Sequence, residues 1–279
     1  MAAAAALVRP GDTLSLGGMT LYRRPMAFVR ELLRQGTGDL TLLAMTAGLE
    51  SDLLVGAGRV RRVRTCYFGL EVFGLAPMFT QLASQGQIEI IEETEASLAW
   101  GLRAALAGLG FLPGPGWLGT DLPTVRPDVK LVQDPYSGQR YMAYPALRPD
   151  VAVIHAPVAD RQGNAAVIGN LGIDREIALL AGRTIVTAER LVDSPADFGY
   201  EADIGYMSVT AVVEAPGGAA PTSCYPYYPL DAAAIMEYVQ ACQRGDFPQY
   251  LKETVKRQAS NVKREDVLRD KMEHVPRNT

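Results

Sequence analysis

Short apolar runs alternate with helix-like stretches from Asp12 to Ala107, and this alternation constrains the fold more than any other feature of the chain. Asp12–Leu16 reads as a strand ending in Gly17-Gly18, and Pro25–Arg34 (PMAFVRELLR) as a helix with Pro25 in its first turn, where a missing N–H costs nothing. Asp39–Met45 is a second strand, followed by small and acidic residues to Gly56. Arg61–Phe68 is a third strand, Ala76–Ser84 a helix, Gln87–Ile91 a fourth strand and Ala96–Ala107 a helix. Strands and helices at this spacing predict βαβ crossovers and a parallel sheet.

The pattern breaks at residues 111–149, which are rich in Pro and Gly and include Pro113-Gly114-Pro115-Gly116. Such a stretch is either an ordered excursion over the sheet or a substrate-facing loop. Regularity returns with a buried strand at Val151–His155, a helix at Ile173–Leu180, and strands at Thr184–Ala188 and Met207–Glu214. Asp231–Arg244 is helical, and Tyr250–Val275 reads as a charged, solvated helix. The expected fold is α/β: one domain over residues 1–245 with an open, mostly parallel, doubly wound sheet and a Pro/Gly-rich excursion, followed by a charged, helical tail over 246–279.

In an open parallel sheet, ligands bind beyond the carboxyl ends of the strands. The residues standing there are Gly17-Gly18-Met19, Thr46-Ala47-Gly48, Phe68-Gly69-Leu70-Glu71 and Glu92-Glu93-Thr94-Glu95. Parallel strands would gather these groups on one edge. Glycines let backbone N–H groups approach a ligand, and N–H groups aimed at a developing oxyanion assist acyl transfer. A Gly-Gly pair after a strand is more often a plain tight turn. The glutamates near Thr94 more often serve a helix start, which the helix dipole favours. Arg23 and Arg24 beside the glycine turn suit either solvent or a carboxylate or phosphate.

Other chemistries find little support. The chain has 279 residues, 48% hydrophobic and 21% charged, with a net charge of -4, so neither nucleic acid nor an anionic membrane is an expected partner. No apolar run reaches membrane-span length, and Met1–Val8 lacks the basic start of a signal peptide, so a cytoplasmic protein is expected. Cys66, Cys224 and Cys242 match no metal-ligand spacing and read as buried, reduced thiols. Of the two histidines, His155 lies in an apolar strand as a core residue and His274 in the charged tail. No Ser-His-Asp or Cys-His constellation, Walker loop, dinucleotide fingerprint or metal site is seen.

Four segments together carry a resemblance. LSLGGMTLYRRPMAFVRELLR (14–34), IEIIEETEASLAWGLRAALAGLGFLP (88–113), DVAVIHAPVADRQGNAAVIG (150–169) and GGAAPTSCYPYY (217–228) occur in this order over roughly residues 10–230. They resemble A (alpha) subunits of the class I CoA-transferase family, of the glutaconate and 3-oxoacid type. The resemblance implies a doubly wound chain that works with a homologous B (beta) subunit in a heterodimer or heterotetramer. The implied substrates are an acyl-CoA and a carboxylic acid, with no tightly bound cofactor and the coenzyme A thioester as substrate. The implied chemistry is covalent and ping-pong. A glutamate carboxylate of the beta subunit attacks the thioester to give an acyl-glutamyl anhydride, the released CoA thiolate attacks this to give a glutamyl-CoA thioester, and the acceptor acid reverses the steps. The alpha subunit would contribute N–H groups from Gly17 and Gly18, with Met19 standing where an aromatic residue is common. Arg23, Arg24, Thr46, Gly48, Phe68, Gly69, Glu71 and Glu92 would line the substrate site. CoA-dependent ring-cleaving hydrolases of the same family are similar too, and in them a glutamate of the alpha subunit matching Glu95 activates water. A degenerate CoA-binding partner without turnover is the non-enzymatic alternative.

Overall fold

The computed structural model describes residues 1–256. Its strands are β1 (Thr13–Leu16), β2 (Leu40–Ala47), β3 (Val60–Phe68), β4 (Glu89–Glu92), β5 (Phe111–Gly114), β6 (Lys130–Gln133), β7 (Arg140–Pro145), β8 (Val151–Asp160), β9 (Ala165–Ala166), β10 (Arg183–Val192) and β11 (Ala211–Glu214). Its α-helices are α1 (Ala2–Ala5), α2 (Met26–Gln35), α3 (Leu49–Gly56), α4 (Pro77–Ser84), α5 (Glu95–Leu106), α6 (Leu122–Val125), α7 (Asp174–Leu180), α8 (Ala232–Gln243) and α9 (Phe247–Lys256).

The main sheet runs β11-β10-β8-β1-β2-β3-β4, all parallel, with β9 added antiparallel to β8. The strand order departs in opposite directions from the β1–β8 pair, which makes that pair the topological switch point. Every residue of β8 is buried, as befits a central parallel strand covered on both faces. One face carries α2, α3, α4, α8 and α9, with Phe28, Leu32, Leu53, Tyr238 and Phe247 in its core. The other carries α5 and α7, with Leu98, Leu102 and Ile177 packed against Leu43, Ile154 and Val186. The doubly wound α/β expectation therefore stands. No helix among the described residues is long and apolar enough to cross a membrane.

Several local expectations are revised. The stretch after β2, read as small and acidic, is the helix α3, because its acids are buried with partners rather than solvated. Glu50 meets Arg24, while Asp52 accepts the N–H groups of Met78 and Phe79 at the start of α4 and the hydroxyl of Tyr238. Residues 111–149 are ordered: β5, β7 and β6 form a small antiparallel sheet around Trp117, Met142 and Tyr144. The last strand begins at Ala211 rather than Met207, since Tyr206–Ser208 form a 3-10 turn. Of the expected tail helix, α9 buries Phe247 and Tyr250 against Tyr238, and residues 257–279 lie outside the described residues.

Burial raises the carboxyl of Asp52 to about 6, although the Tyr238, Phe79 and Met78 hydrogen bonds oppose the shift. The folded state thus holds this proton more tightly than the unfolded chain, and its contribution to stability is lost as pH rises from about 4 to about 6. Urea unfolding across this range should therefore show a smaller stability loss with pH in Asp52→Asn than in the wild type. Parallel slopes in the two proteins would contradict it.

Candidate functional site at the carboxyl edge

The glycine turn after β1 lies at the switch point, but its N–H groups are not open. Gly17 donates to Val153 O at 2.8 Å, Gly18 to Asp174 Oδ1 at 2.9 Å, Met19 to Tyr22 O at 2.9 Å and Thr20 to Thr46 Oγ1 at 3.1 Å. The expected N–H oxyanion donors are thus engaged within the chain. Glycine is required here for close packing. A Cβ on Gly17 would sit 2.7 Å from Asp174 Oδ1, and Gly18 has φ +83 with Arg23 O 2.7 Å from where a Cβ would be. Met19, the next residue of the turn, is half-buried.

Arg23 and Arg24 correct the sequence expectation most sharply. Both are fully buried, so neither is a free anion ligand. Arg23 pairs with Asp174 at 2.9 Å and donates to His155 O at 3.0 Å and Asn170 O at 2.7 Å. Arg24 pairs with Glu50 and donates to Gly18 O at 2.9 Å and Thr46 O at 3.2 Å. The two guanidinium groups bind protein oxygens from several chain segments and hold the turn between α3 and α7. A guanidinium buried without such partners would be prohibitively costly.

The neighbouring edge residues divide by environment. Thr46 is buried and serves the turn through its hydroxyl and carbonyl. Gly48 must lack a side chain because a Cβ would overlap the Thr20 carbonyl. Phe68 stacks on Phe79 with centroids 4.1 Å apart, and Gly69 donates to Ala47 O at 3.2 Å, so both are structural contacts. Glu71 is exposed with φ +54 on a short 3-10 turn, away from these hydrogen bonds.

At the end of β4 the three glutamates separate. Glu92 is exposed, while its carbonyl accepts from Arg126. Glu93 is buried, bonded to Ser97 and to Arg126 at 2.7 Å, with Arg64 at 3.6 Å. Arg126 also lies over the Trp117 ring, and Trp117 donates its indole N–H to Thr94 Oγ1 at 3.0 Å. These contacts bolt the small sheet onto the start of α5. Thr94 and Ser97 cap that helix reciprocally, so Glu95 has no capping duty. Glu95 is exposed and has no hydrogen bond or ion pair among the described residues. Its charge reaches the Cys66 thiol on β3, which burial foremost, and then Glu95, pushes up to about 11. Cys66, whose Sγ lies 2.6 Å from Met45 O, is therefore a neutral thiol at pH 7, not a nucleophile.

Sequence reasoning missed the partner of His155. Glu189 on β10 accepts from His155 Nε2 at 2.8 Å, from the Tyr228 hydroxyl and from the N–H groups of Gly217 and Gly218, and His155 Nδ1 meets Thr187 at 2.9 Å. Burial raises the Glu189 carboxyl, but these hydrogen bonds outweigh it and hold it below its ordinary value. His155, Glu189 and Cys224 offer ligand atoms within 4.8 Å of one another. The ring nitrogens and carboxylate oxygens already have hydrogen-bond partners, so the group reads as a network that seats residues 217–228 on the sheet. The pairing at Glu189 is legible only through the β8–β10 register that sets Thr187 opposite His155.

The candidate site is the carboxyl edge of the sheet, from the glycine turn after β1, past Met45 on β2 and Cys66 on β3, to Glu95 at the start of α5. A family model described as coenzyme A transferase matches residues 1–215. The chain is 38% identical over 227 residues to the A subunit of 3-oxoadipate CoA-transferase from Pseudomonas knackmussii, with 80% of each chain covered. The solved glutaconate coenzyme A-transferase of Acidaminococcus fermentans superposes with a TM-score of 0.83 at 32% identity, covering 97% of this chain and 90% of that one. A solved AibA/AibB decarboxylase variant superposes with a TM-score of 0.85 at 32% identity, covering 92% of this chain and 97% of the other.

The packing of Gly18 has a measurable consequence. Gly58 shares a positive φ, +67, but has nothing within 4 Å of its missing Cβ. Alanine at either position incurs the left-handed backbone cost of about 1–2 kcal/mol. Only at Gly18 does overlap with the turn add to it. Thermal unfolding should therefore show a larger fall in Tm for Gly18→Ala than for Gly58→Ala, and equal falls would mean that the turn relaxes freely.

Proposed function

The chain belongs to the coenzyme A transferase family, on the alpha side of its two-chain enzymes, and we propose that it works with a homologous beta subunit to move coenzyme A between an acyl-CoA and a carboxylic acid. The observation that carries this reading is the family match over residues 1–215 together with the likeness, over most of the chain, to A subunits of CoA-transferases. Among the described residues at the carboxyl edge, Cys66 is held as a thiol and Glu93 and Asp174 are in ion pairs, while Glu95 is exposed and without such a partner. Attack on the thioester is assigned to the partner, as the family resemblance implies; its glutamate carboxylate would form the acyl anhydride and, after attack by the released CoA thiolate, the glutamyl-CoA thioester. This chain would supply the glycine turn, Met19 and the exposed carboxylate of Glu95.

Within this chain, Glu95 is the residue assigned to the reacting substrate, since the helix it begins is capped without it. In a transferase it orients the acyl group by hydrogen bonding. With water in place of an acceptor acid, the same carboxylate would act as a general base, which is the hydrolase alternative.

Two measurements test these assignments. The purified chain alone should transfer no CoA, and co-expression with its beta subunit should restore transfer; activity of the chain by itself would refute the division of labour. In the complex, Glu95→Gln should leave Tm nearly unchanged while turnover falls; a fall of about two orders of magnitude, as for loss of a proton-accepting group, marks the hydrolase role, and a smaller fall marks orientation by hydrogen bonding. A small drop in Tm with intact turnover would return Glu95 to a helix-dipole role.

A further inference from the structure

The glycine turn spends its own N–H groups on the protein, so a donor for a substrate oxygen at the switch point has to come from a neighbouring segment. We propose that Asn170 is that donor, binding the thioester carbonyl oxygen of the acyl-CoA through its side-chain amide; the identity of the ligand rests on the function proposed above.

Asn170 lies in the connection from β9 to α7, on the β8 side of the switch point, and its side chain reaches across to Met19 on the β1 side. Its amide orientation is fixed by the chain. Oδ1 accepts the Gly172 N–H at 2.8 Å, so the NH2 group is the end that points toward Met19, with Nδ2 2.9 Å from the thioether sulfur. The amide has two N–H donors, and a thioether is a weak acceptor, so donor capacity is left over. The residue is exposed, in contrast to the buried Arg23 and Asp174 beneath it.

Its backbone is held as firmly as its side chain. Arg23 donates to Asn170 O at 2.7 Å while pairing with Asp174, which in turn accepts Gly18 N–H. Asn170 and the glycine turn are therefore positioned by one ion pair. A donor fixed before the substrate arrives needs no reorganisation when negative charge develops on the carbonyl oxygen, which is what makes such a group effective in acyl transfer. Asn170 and Glu95 then stand at opposite ends of the carboxyl edge of β1, β2 and β3. Met19 at β1 and Cys66 on β3 are two strand spacings apart, about 10 Å, room for an acyl chain running from the thioester toward Glu95.

The test uses this chain assembled with its beta subunit, supplied with an acyl-CoA donor and a carboxylate acceptor. Asn170→Asp is the informative variant: it keeps the Oδ1 acceptor for Gly172 and the size, but a carboxylate donates nothing at neutral pH. Asn170→Ala removes both functions. Both should lose about 10²-fold or more in turnover, expressed mainly in kcat, with Asn170→Asp retaining the wild-type Tm. Wild-type kcat in Asn170→Asp, or a raised KM with unchanged kcat, would overturn the carbonyl assignment. The wild-type complex is assayed in parallel, which separates the two levels. Transfer by the wild type with unimpaired variants overturns Asn170 alone, whereas no transfer by the wild type overturns the transferase reading and this inference with it.

Discussion

Two adjacent arginines, buried beneath the carboxyl edge of the sheet, hold the site together. Arg23 reaches toward α7 and Arg24 toward α3, each ending on a buried carboxylate, Asp174 and Glu50. Between them they also bind carbonyls of Gly18, Thr46, His155 and Asn170. Removing either partner of such a pair strands a charge in the interior at a cost of about 3–5 kcal/mol. The turn between β1 and α2 is therefore not a mobile loop. Asp174 stands so close that position 17 has no room for a Cβ, while position 18 is crowded by the backbone carbonyls of Tyr22 and Arg23 within the turn itself.

The β4–α5 end of the carboxyl edge rests on a separate set of contacts. Glu93 joins β4 to Arg126, and Trp117 joins the small antiparallel sheet to Thr94. A polar and aromatic clamp thus fixes the first turn of α5 from outside the main sheet. The adjacent Glu95 stays free of these bonds and exposed, so its placement is determined while its carboxylate remains available. Rigid support beneath an unencumbered functional group is the arrangement that preorganised sites need. On the opposite side of the switch point, the Glu189 network anchors residues 217–228, whose backbone in turn bonds to Leu21, Arg23 and Ala27. The late segment of the chain therefore braces the early turn.

Burial sorted residues that look alike in the sequence. Glu92, Glu93 and Glu95 are near neighbours, yet Glu93 is an interior ion-pair partner while Glu92 and Glu95 are exposed. Cys66 sits beside the site but is disarmed, since burial and the nearby Glu95 charge both oppose thiolate formation. The acids of α3, which the sequence showed only as a small and acidic stretch, are interior partners of Arg24 and Tyr238.

What the sequence alone determined is the alternation of strands and helices and the mostly parallel sheet they build, while the edge it points to carries the roles proposed above. Short apolar runs, helical stretches and strand-ending glycines such as Gly17, Gly48 and Gly69 are local signals, written within a few residues of where they act. The family was legible as well, because four separated segments keep their order from Leu14 to Tyr228. Tertiary structure alone decided which charges are ligands and which are scaffold. Arg23 and Asp174 are 151 positions apart, and Arg126 and Glu93 are 33. Nothing local distinguishes a buried arginine from a solvated one, since the difference lies in desolvation and in partners that only the folded sheet brings within hydrogen-bonding distance.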